Sequence, residues 1–351
     1  MALILGLESS CDETAAALVR DGRTVLAERV ASQAETFTDW GGVVPEIAAR
    51  GHVAWLPGLV EAVLTDAGCT LAAVDAVAVA AWPGLLGSLL GAFTCAKTIA
   101  LARDLPLLTV DHVEAHLAAV ALERNDALPP LVGLVASGGH SHYYHCPRPD
   151  ALEPLGGTID DAAGEAFDKA AAMLELGYPG GPIVDRLAAS GDPAAFALPR
   201  SFLREPQIRL SFAGLKTALL YKVRGPRGRD PLTLDAQGIA DACASFQAAV
   251  VDCLAGKLLL AAQQCGVPAV AVGGGVACNR ALRQRLETDC AAAGLALFLP
   301  APRHCADNAA MVAALGHRHL CAGRIAAPDC IPLPTGAAGP RATDQNKTRR
   351  T

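Results

Sequence analysis

The sequence predicts an α/β protein of two similar domains around a central cleft. Three observations carry this. The chain has 351 residues, 52% of them hydrophobic, which suits about two domains. It contains two stretches that each read as a hairpin, a third strand, and then alternating helix and strand. Each stretch opens on a tip of small residues, "GLESSCDET" in the first and "SGGHS" in the second.

The first stretch starts with "LILGLE", an apolar strand, followed by the turn "SSCD". The strands "ETAAALV" and "TVLAERVA" come next. A helix is expected from near Pro45 to about Ala67, with proline at its first position. Then follow the strand "VDAVAVA", a helix from about Leu85 to Ala102, the strand "LLTV", and a helix holding His112 and His116. The second stretch starts with "LVGLVASGGHSHYYH", a strand, glycine turn and strand. "DDAAGEAFDKAAAMLEL" reads as a helix with acidic residues in its first turn, which suits the helix dipole. A long helix is expected over roughly Asp235 to Cys265. The strand "AVAVGG", the helix "NRALRQRLETDCAAAG", the strand "LALFLP" and a last helix from about Asp307 complete the pattern.

Duplicated halves in this order are the plan of actin-like, sugar-kinase and Hsp70-type proteins. The expected boundaries are 1–129 for the first domain, completed by the last helix at about 307–325, and 130–306 for the second. Residues 177–232, rich in Pro, Gly and Arg, read as an insertion, and 332–351 as a disordered tail.

Composition excludes several classes. A net charge of −6 argues against a protein coated in basic surface. The 12 cysteines contain no C-x-x-C pair, so a structural zinc framework is not expected. No charged region followed by an apolar core marks the N-terminus as a secretory signal. A reduced, cytoplasmic protein with core-packing cysteines is the expectation. The uncharged run from Ala76 to Ala96 is interrupted by Pro83, Gly84, Gly87 and Gly91, which favours a strand, turn and buried helix over a membrane span.

Chemistry concentrates at a few places. Backbone N–H groups in the two hairpin tips can cradle phosphate oxygens, although each tip alone is also an ordinary tight turn. "GGGVACNR" is a third glycine turn between strand and helix. Cys278 breaks the G-x-G-x-x-G pattern, and Asn279 suits either a helix cap or a ligand contact. In "DHVEAH", His112 and His116 are four apart and share a helix face. Glu114 is two residues on from His112, about 200° around the helix, and so points away from a shared ion. The pair alone reads either as metal ligands or as ordinary helix residues. Asp307 in "RHCADNAAM" suits a third ligand or a helix cap, and His304 is a further candidate. Two histidines and one carboxylate suit iron or zinc better than magnesium. Asp161, Glu165 and Asp168 fall along one expected helix face, and Asp185 follows a glycine turn. From Arg200 to Arg229 there are eight basic residues against one acid, Glu205. Such a segment suits RNA phosphates or a solvated loop.

Taken in order, "LGLESSCDETAAALV", "GGVVPEIAAR", "HVEAHLAA", "SGGHS", "IDDAAGEAFDKAA", "YPGGP", "SFAGLKTA", "GGGVACNRALR" and "DNAAM" resemble the motifs of the TsaD (formerly Gcp) family, the tRNA N6-adenosine threonylcarbamoyltransferases. The likeness runs from residue 3 to about 320. It implies two actin-like (ASKHA, RNase H-like) domains and a nucleotide-binding cleft. It also implies transfer of a threonylcarbamoyl group from threonylcarbamoyl-AMP to the adenosine 3′ of the anticodon, in tRNAs reading codons that begin with A. By the same resemblance, His112, His116 and Asp307 match metal ligands, usually for iron, with zinc the alternative. Val135, Ala136, Ser137, Gly138 and Gly139 match a segment touching the nucleotide-linked substrate. Asp168, Gly181, Asp185 and Asn279 match further substrate contacts. Asp12 and Glu13, in the first hairpin, are carried as catalytic candidates. Implied partners are tRNA, a smaller actin-like paralogue and a P-loop ATPase; the chain has no G-x-x-x-x-G-K-[ST] of its own.

The sequence departs from the family at Trp82, where Gly is usual before Pro-Gly, at Ala213, where Ser is usual, and in the His- and Tyr-rich "HSHYYH". Two other classes stay open at this point: a metal-dependent endopeptidase, and an actin-like nucleotide-binding scaffold or ATPase.

Overall fold

A computed structural model describes residues 1–40, 42–148 and 151–336. The tail expected at 332–351 lies outside the described residues from 337 on. The chain forms two compact units, Met1–Ala127 with the segment from Asp307 onward, and Leu128–Ala306.

The first unit is a five-stranded sheet in the order β3-β2-β1-β4-β5. Strands β1 (Leu3–Glu8) and β2 (Glu13–Arg20) form an antiparallel hairpin, registered from Leu3 opposite Arg20 to Glu8 opposite Ala15. Strand β3 (Thr24–Ser32) continues the meander. Helix α1 (Pro45–Asp66) then precedes β4 (Ala76–Trp82), which is parallel to β1. Helix α2 (Leu86–Arg103) leads to β5 (Leu107–Asp111), parallel to β4, and helix α3 (His112–Ala118) follows directly. The run Ala76–Ala96 is thus a strand, a turn and the first part of a helix.

Period-two alternation sorts β1 onto two faces. Leu3, Leu5 and Leu7 pack with Leu56, Val60 and Val63 of α1 and with Ala92, Phe93 and Ala96 of α2. Ile4 packs on the opposite face, with Ala115 and Ala118 of α3.

The second unit repeats the plan. Strands β6 (Leu131–Ala136), β7 (Ser141–Arg148) and β8 (Ala151–Thr158) form an antiparallel meander. Helices α4 (Ala163–Met173) and α5 (Gly180–Ala188) follow. Within the segment read as an insertion lie a two-residue strand β9 (Arg209–Leu210), parallel to β8, and helix α6 (Ala213–Arg224). Helix α7 (Ala236–Cys265), strand β10 (Ala269–Gly273), helix α8 (Arg280–Ala293) and strand β11 (Ala296–Phe298) complete it. The order β11-β10-β6-β7-β8-β9 is the first unit's order with β9 added at one edge. One core joins Val132, Leu134 and Tyr143 to Phe167 of α4 and Phe246 and Val250 of α7. Helix α7 is long and apolar enough to cross a bilayer, but 72% of its most apolar window is buried inside the protein. That is the signature of a core helix. Among the described residues none of the twelve cysteines is joined in a disulfide.

The chain's last helix, α9 (Ala309–Cys321), belongs to the first unit. It lies on the Ile4 face of the sheet, where Met311, Val312 and Leu315 are buried against β1, β4 and β5. Burying these three side chains contributes roughly 5–9 kcal/mol before entropy. The helix starts two residues later than expected. Asn308, not Asp307, is its cap: the Asn308 Oδ1 accepts from the Met311 N–H at 2.8 Å. The approach of α9 to β1 depends on Gly6, where an added Cβ would stand 2.3 Å from the Ala309 carbonyl oxygen.

Candidate metal and substrate site

The first unit brings His112, His116 and Asp307 together. Asp111 ends β5 and caps α3, its Oδ1 accepting from the Val113 N–H at 2.7 Å and the Glu114 N–H at 3.1 Å. One helical turn then brings the two imidazoles edge to face, with ring centroids 4.8 Å apart. Asp307 arrives from the segment before α9. Its Oδ1 lies 3.6 Å from His112 Nε2 and 3.2 Å from His116 Nε2. Ligands about 2.1 Å from a shared ion would be separated by about 3.0–3.4 Å in octahedral or tetrahedral geometry; the two distances to Asp307 are near this, and all three donor atoms lie within 4.8 Å of one another. His116 is fully buried, and among the described residues neither ring nitrogen makes a hydrogen bond, Nε2 having only its 3.2 Å approach to Asp307. A buried polar group left in this way fits a coordination bond better than a packing role. The donor set therefore fits a divalent cation of borderline softness.

Glu8, which the sequence reading did not single out, completes the arrangement. It is fully buried at the end of β1. The His112 Nδ1–H donates to Glu8 Oε2 at 3.0 Å, and the Ser10 backbone N–H donates to Oε1. The Ser10 hydroxyl is also 3.1 Å from His112 Nδ1. This fixes the tautomer that turns His112 Nε2 toward Asp307, as carboxylate partners of metal-bound histidines do. Burial lowers the His112 pKa, but the carboxylates of Glu8 and Asp307 outweigh it and push it up to about 10. The cluster thus carries an excess of negative charge that a cation would balance.

Glu114 takes no part. Burial and the neighbouring Asp111 push its pKa up to about 7, opposed by Arg324 and Arg318. It stands apart from the His–His–Asp set, as the helix angle predicted, and is not placed as a protease base.

Asp12 sits in the hairpin tip between β1 and β2 and Glu13 opens β2, within reach of the Asp307 charge. Burial and the charges of Asp307 and Asp12 push the Glu13 pKa up to about 9, and the Ser32 hydroxyl donates to its Oε1 at 3.2 Å. The tip is held by His52 of α1, whose Nε2–H donates to the Cys11 carbonyl at 3.0 Å while Thr14 Oγ1 lies 2.7 Å from its Nδ1. His52, fully buried, is another residue the sequence reading passed over.

The remaining candidates lie in the second unit, around the C-terminal ends of the parallel strands β6 and β10, where open α/β sheets bind ligands. Val135 and Ala136 are fully buried strand residues, paired with His142 and Ser141 of β7, and Val135 also with Gly273 of β10. Ser137 opens the turn, its N–H donating to the His140 carbonyl at 2.8 Å. Gly138 and Gly139 are exposed, and a Cβ on either would meet nothing within 4 Å. The start of α4 buttresses this turn: the N–H groups of Gly164 and Glu165 each donate at 3.1 Å, to the Ser137 and Gly138 carbonyls. Beside it, Gly274 adopts φ +92, and a Cβ there would stand 2.3 Å from the Ala136 oxygen.

Asp168 Oδ1 accepts from the Gly180 N–H at 2.7 Å, which places Gly181 at the start of α5 close by. Asp185 of α5 holds Arg280 by an ion pair at 2.8 Å and accepts from its backbone N–H at 3.2 Å. Asn279 is the α8 cap, its Oδ1 accepting from the Leu282 N–H at 2.9 Å while its Nδ2 donates to Gln247 Oε1 at 2.7 Å. The acidic face expected from Asp161, Glu165 and Asp168 is divided. Asp161 precedes α4 and pairs with Lys169 and Lys216. Of the eight basic residues in 200–229, Arg200, Arg209, Lys216 and Arg224 are paired with carboxylates of the same unit. Arg204, Lys222, Arg227 and Arg229 are exposed.

The model of one protein family, tRNA N6-adenosine threonylcarbamoyltransferase (TsaD), matches residues 24–314. This chain belongs to that family. It is 50% identical over 321 residues to the tRNA N6-adenosine threonylcarbamoyltransferase of Geobacter metallireducens, covering 92% of this chain and 93% of the relative. It is 49% identical over 322 residues to that of Syntrophobacter fumaroxidans, covering 90% and 94%. Among solved structures, full-length HypF in its phosphate- and nucleotide-bound form superposes with a TM-score of 0.61 at 15% identity, covering 91% of this chain and 56% of HypF. Component A of the Acidaminococcus fermentans (R)-2-hydroxyglutaryl-CoA dehydratase gives 0.51 at 15% identity, covering 92% of this chain and all of that one. These likenesses identify the actin-like fold of the TsaD family member described here.

Proposed function

We propose that the chain transfers the threonylcarbamoyl group from threonylcarbamoyl-AMP to the N6 amine of the adenosine 3′ of the anticodon, in tRNAs reading codons that begin with A. A bond forms between N6 and the carbamoyl carbon, the bond from that carbon to the phosphate oxygen breaks, and AMP and one proton leave. The observation that carries this reading is the family match across 24–314, with relatives of about half identical sequence over nearly the whole chain. Neither the endopeptidase nor the scaffold reading gains support. The first would need Glu114 on the metal face, and the second gives the buried His–His–Asp cluster no work.

In this reading His112, His116 and Asp307 hold one divalent metal, Fe2+ first and zinc second, with Glu8 orienting His112. When bound, such an ion acts as a Lewis acid toward a phosphate or carbamoyl oxygen. Backbone N–H groups of Ser137, Gly138 and Gly139 offer donors to the nucleotide-linked substrate. Val135 and Ala136 carry that turn on a rigid strand. Asp168, Gly181, Asp185 and Asn279 make further substrate contacts, with Asp185 tied to Arg280, the residue after Asn279. Asp12 and Glu13 are the catalytic candidates from the first hairpin. Threonylcarbamoyl-AMP supplied by another enzyme, a smaller actin-like paralogue and a P-loop ATPase complete the system, in the cytoplasm.

The test is transfer of labelled threonylcarbamate to unmodified tRNA with purified partner proteins. Label with the wild type and its loss in His116→Ala is the expected result. Equal label in both would reduce the histidines to structure, and no label beside a working control would overturn the transferase reading.

A further inference from the structure

Two cysteines of the second unit share one polar site. Cys278 ends the short 3-10 turn Gly275–Cys278 and is exposed. Cys305 follows the 3-10 turn Pro302–His304 and is fully buried. Cys305 Sγ lies 3.6 Å from the Ala301 carbonyl and 3.9 Å from the Pro300 carbonyl, in the same segment that Cys278 Sγ reaches. Arg283 of α8 stitches the two segments together. Its Nε donates to the Ala277 carbonyl, and its Nη2 donates to the Pro300 carbonyl at 3.0 Å and to Cys305 Sγ at 3.2 Å. Cys278 Sγ in turn donates to the Pro302 carbonyl at 3.5 Å.

A guanidinium beside two thiols favours a thiolate, and the thiolate is the reactive form. The neighbouring Cys305 thiol and the charge of Arg283 outweigh burial and Asp185 and bring the Cys278 pKa down to about 7, while Cys278 and burial push the Cys305 thiol up. By contrast, burial pushes Cys243, Cys253 and Cys290 up to about 11. An exposed, activated thiol beside a buried second one is the arrangement of an attacking and a resolving cysteine.

We propose that Cys278 and Cys305 are a peroxide-sensitive dithiol that closes to a reversible intramolecular disulfide. The Cys278 thiolate attacks one oxygen of hydrogen peroxide, the O–O bond breaks, and a water and a sulfenic acid result. The Cys305 sulfur then attacks the Cys278 sulfur, the S–O bond breaks, and a second water leaves. Two thiols and one hydrogen peroxide give one disulfide and two waters, and a dithiol reductant restores the pair with two electrons and two protons. The bond would tie the Gly275–Cys278 turn, and Asn279 after it, to the Pro302–Cys305 segment.

The experiment treats the reduced full-length protein with one equivalent of hydrogen peroxide, alkylates remaining thiols, digests it and reads the peptides by mass spectrometry. The expected product is a Cys278–Cys305 cross-linked pair, lighter by two hydrogens than the free peptides and lost on reduction. Cys278→Ser, at an exposed position, should abolish it, and Cys305→Ser should leave a Cys278 sulfenic acid trapped by dimedone. The wild-type measurement stands even if the buried variant folds poorly. Cys278 found unlinked or over-oxidised in the wild type, or linked to a different cysteine, would overturn the proposal.

Discussion

Glu8 Oε2 lies 3.0 Å from His112 Nδ1, and this one bond sets which nitrogen of His112 faces Asp307. Glu8→Gln keeps the shape but loses the charge and can turn its amide N–H toward the ring. Metal affinity should fall about 10- to 100-fold. Titration of metal-free protein with Fe2+ or Zn2+ reads it directly, and unchanged affinity would assign the orienting role to Ser10.

Gly6→Ala places a methyl into the start of α9. The expected cost is about 1–3 kcal/mol. Because Asp307 sits just before α9, metal affinity should fall with stability. A denaturant melt and a metal titration on the same variant would show whether the two losses travel together.

Asn279 has two bonds that substitution separates. Asn279→Asp keeps an acceptor for the Leu282 N–H but loses the donor to Gln247, whereas Asn279→Ala loses both. The alanine variant should be less stable by about 1 kcal/mol or more. If Asn279 also binds substrate through Nδ2, nucleotide affinity should drop in both variants while the cap survives in only one. Calorimetry with AMP alongside thermal melts distinguishes these effects.

Stability should decline as the solution is acidified from neutral, in part through His319. Burial, with Arg324 and Arg318 nearby, holds its pKa at about 4 against an ordinary 6.5, and it is 3.1 Å from the Thr109 carbonyl. The unfolded chain takes up this proton near pH 6.5 and the folded chain only near 4, so stability is lost as pH falls across that window. The full effect is about 3 kcal/mol. Melts of the wild type and His319→Gln between pH 7 and 4 should converge as pH falls; parallel curves would exclude the histidine as a source of the slope.

Much of the fold was legible because each strand and helix has its own period. The hairpin "LILGLE…ETAAALV" and the buried helix 86–103 follow from alternation and from prolines and glycines at their ends. The pair His112 and His116 was legible because a helix puts i and i+4 on one face. Glu8 was not, since it ends an apolar strand, and only the pairing of β1 with β4 and β4 with β5 carries it to the start of α3. Asp307 read equally well as a cap until Asn308 took that role. The acidic face at 161–168 is divided because the helix begins after Asp161, where the Ala163 N–H is taken by the Ser141 hydroxyl and the Gly164 N–H by the Ser137 carbonyl. The positive segment 200–229 looked open because sequence charge does not reveal which carboxylates face it in space.

The completion of the first unit by α9 has a consequence for biosynthesis. On the ribosome, the nascent sheet has two of the three candidate metal ligands, and only α3 covers its Ile4 face, until Leu128–Ala306 has been translated. At about 5–20 residues per second, that interval is roughly 10–40 s. A chain that stops early lacks Asp307 and the helix that seals the sheet. The His–His–Asp cluster is therefore complete only in polypeptides that were read through to the last helix.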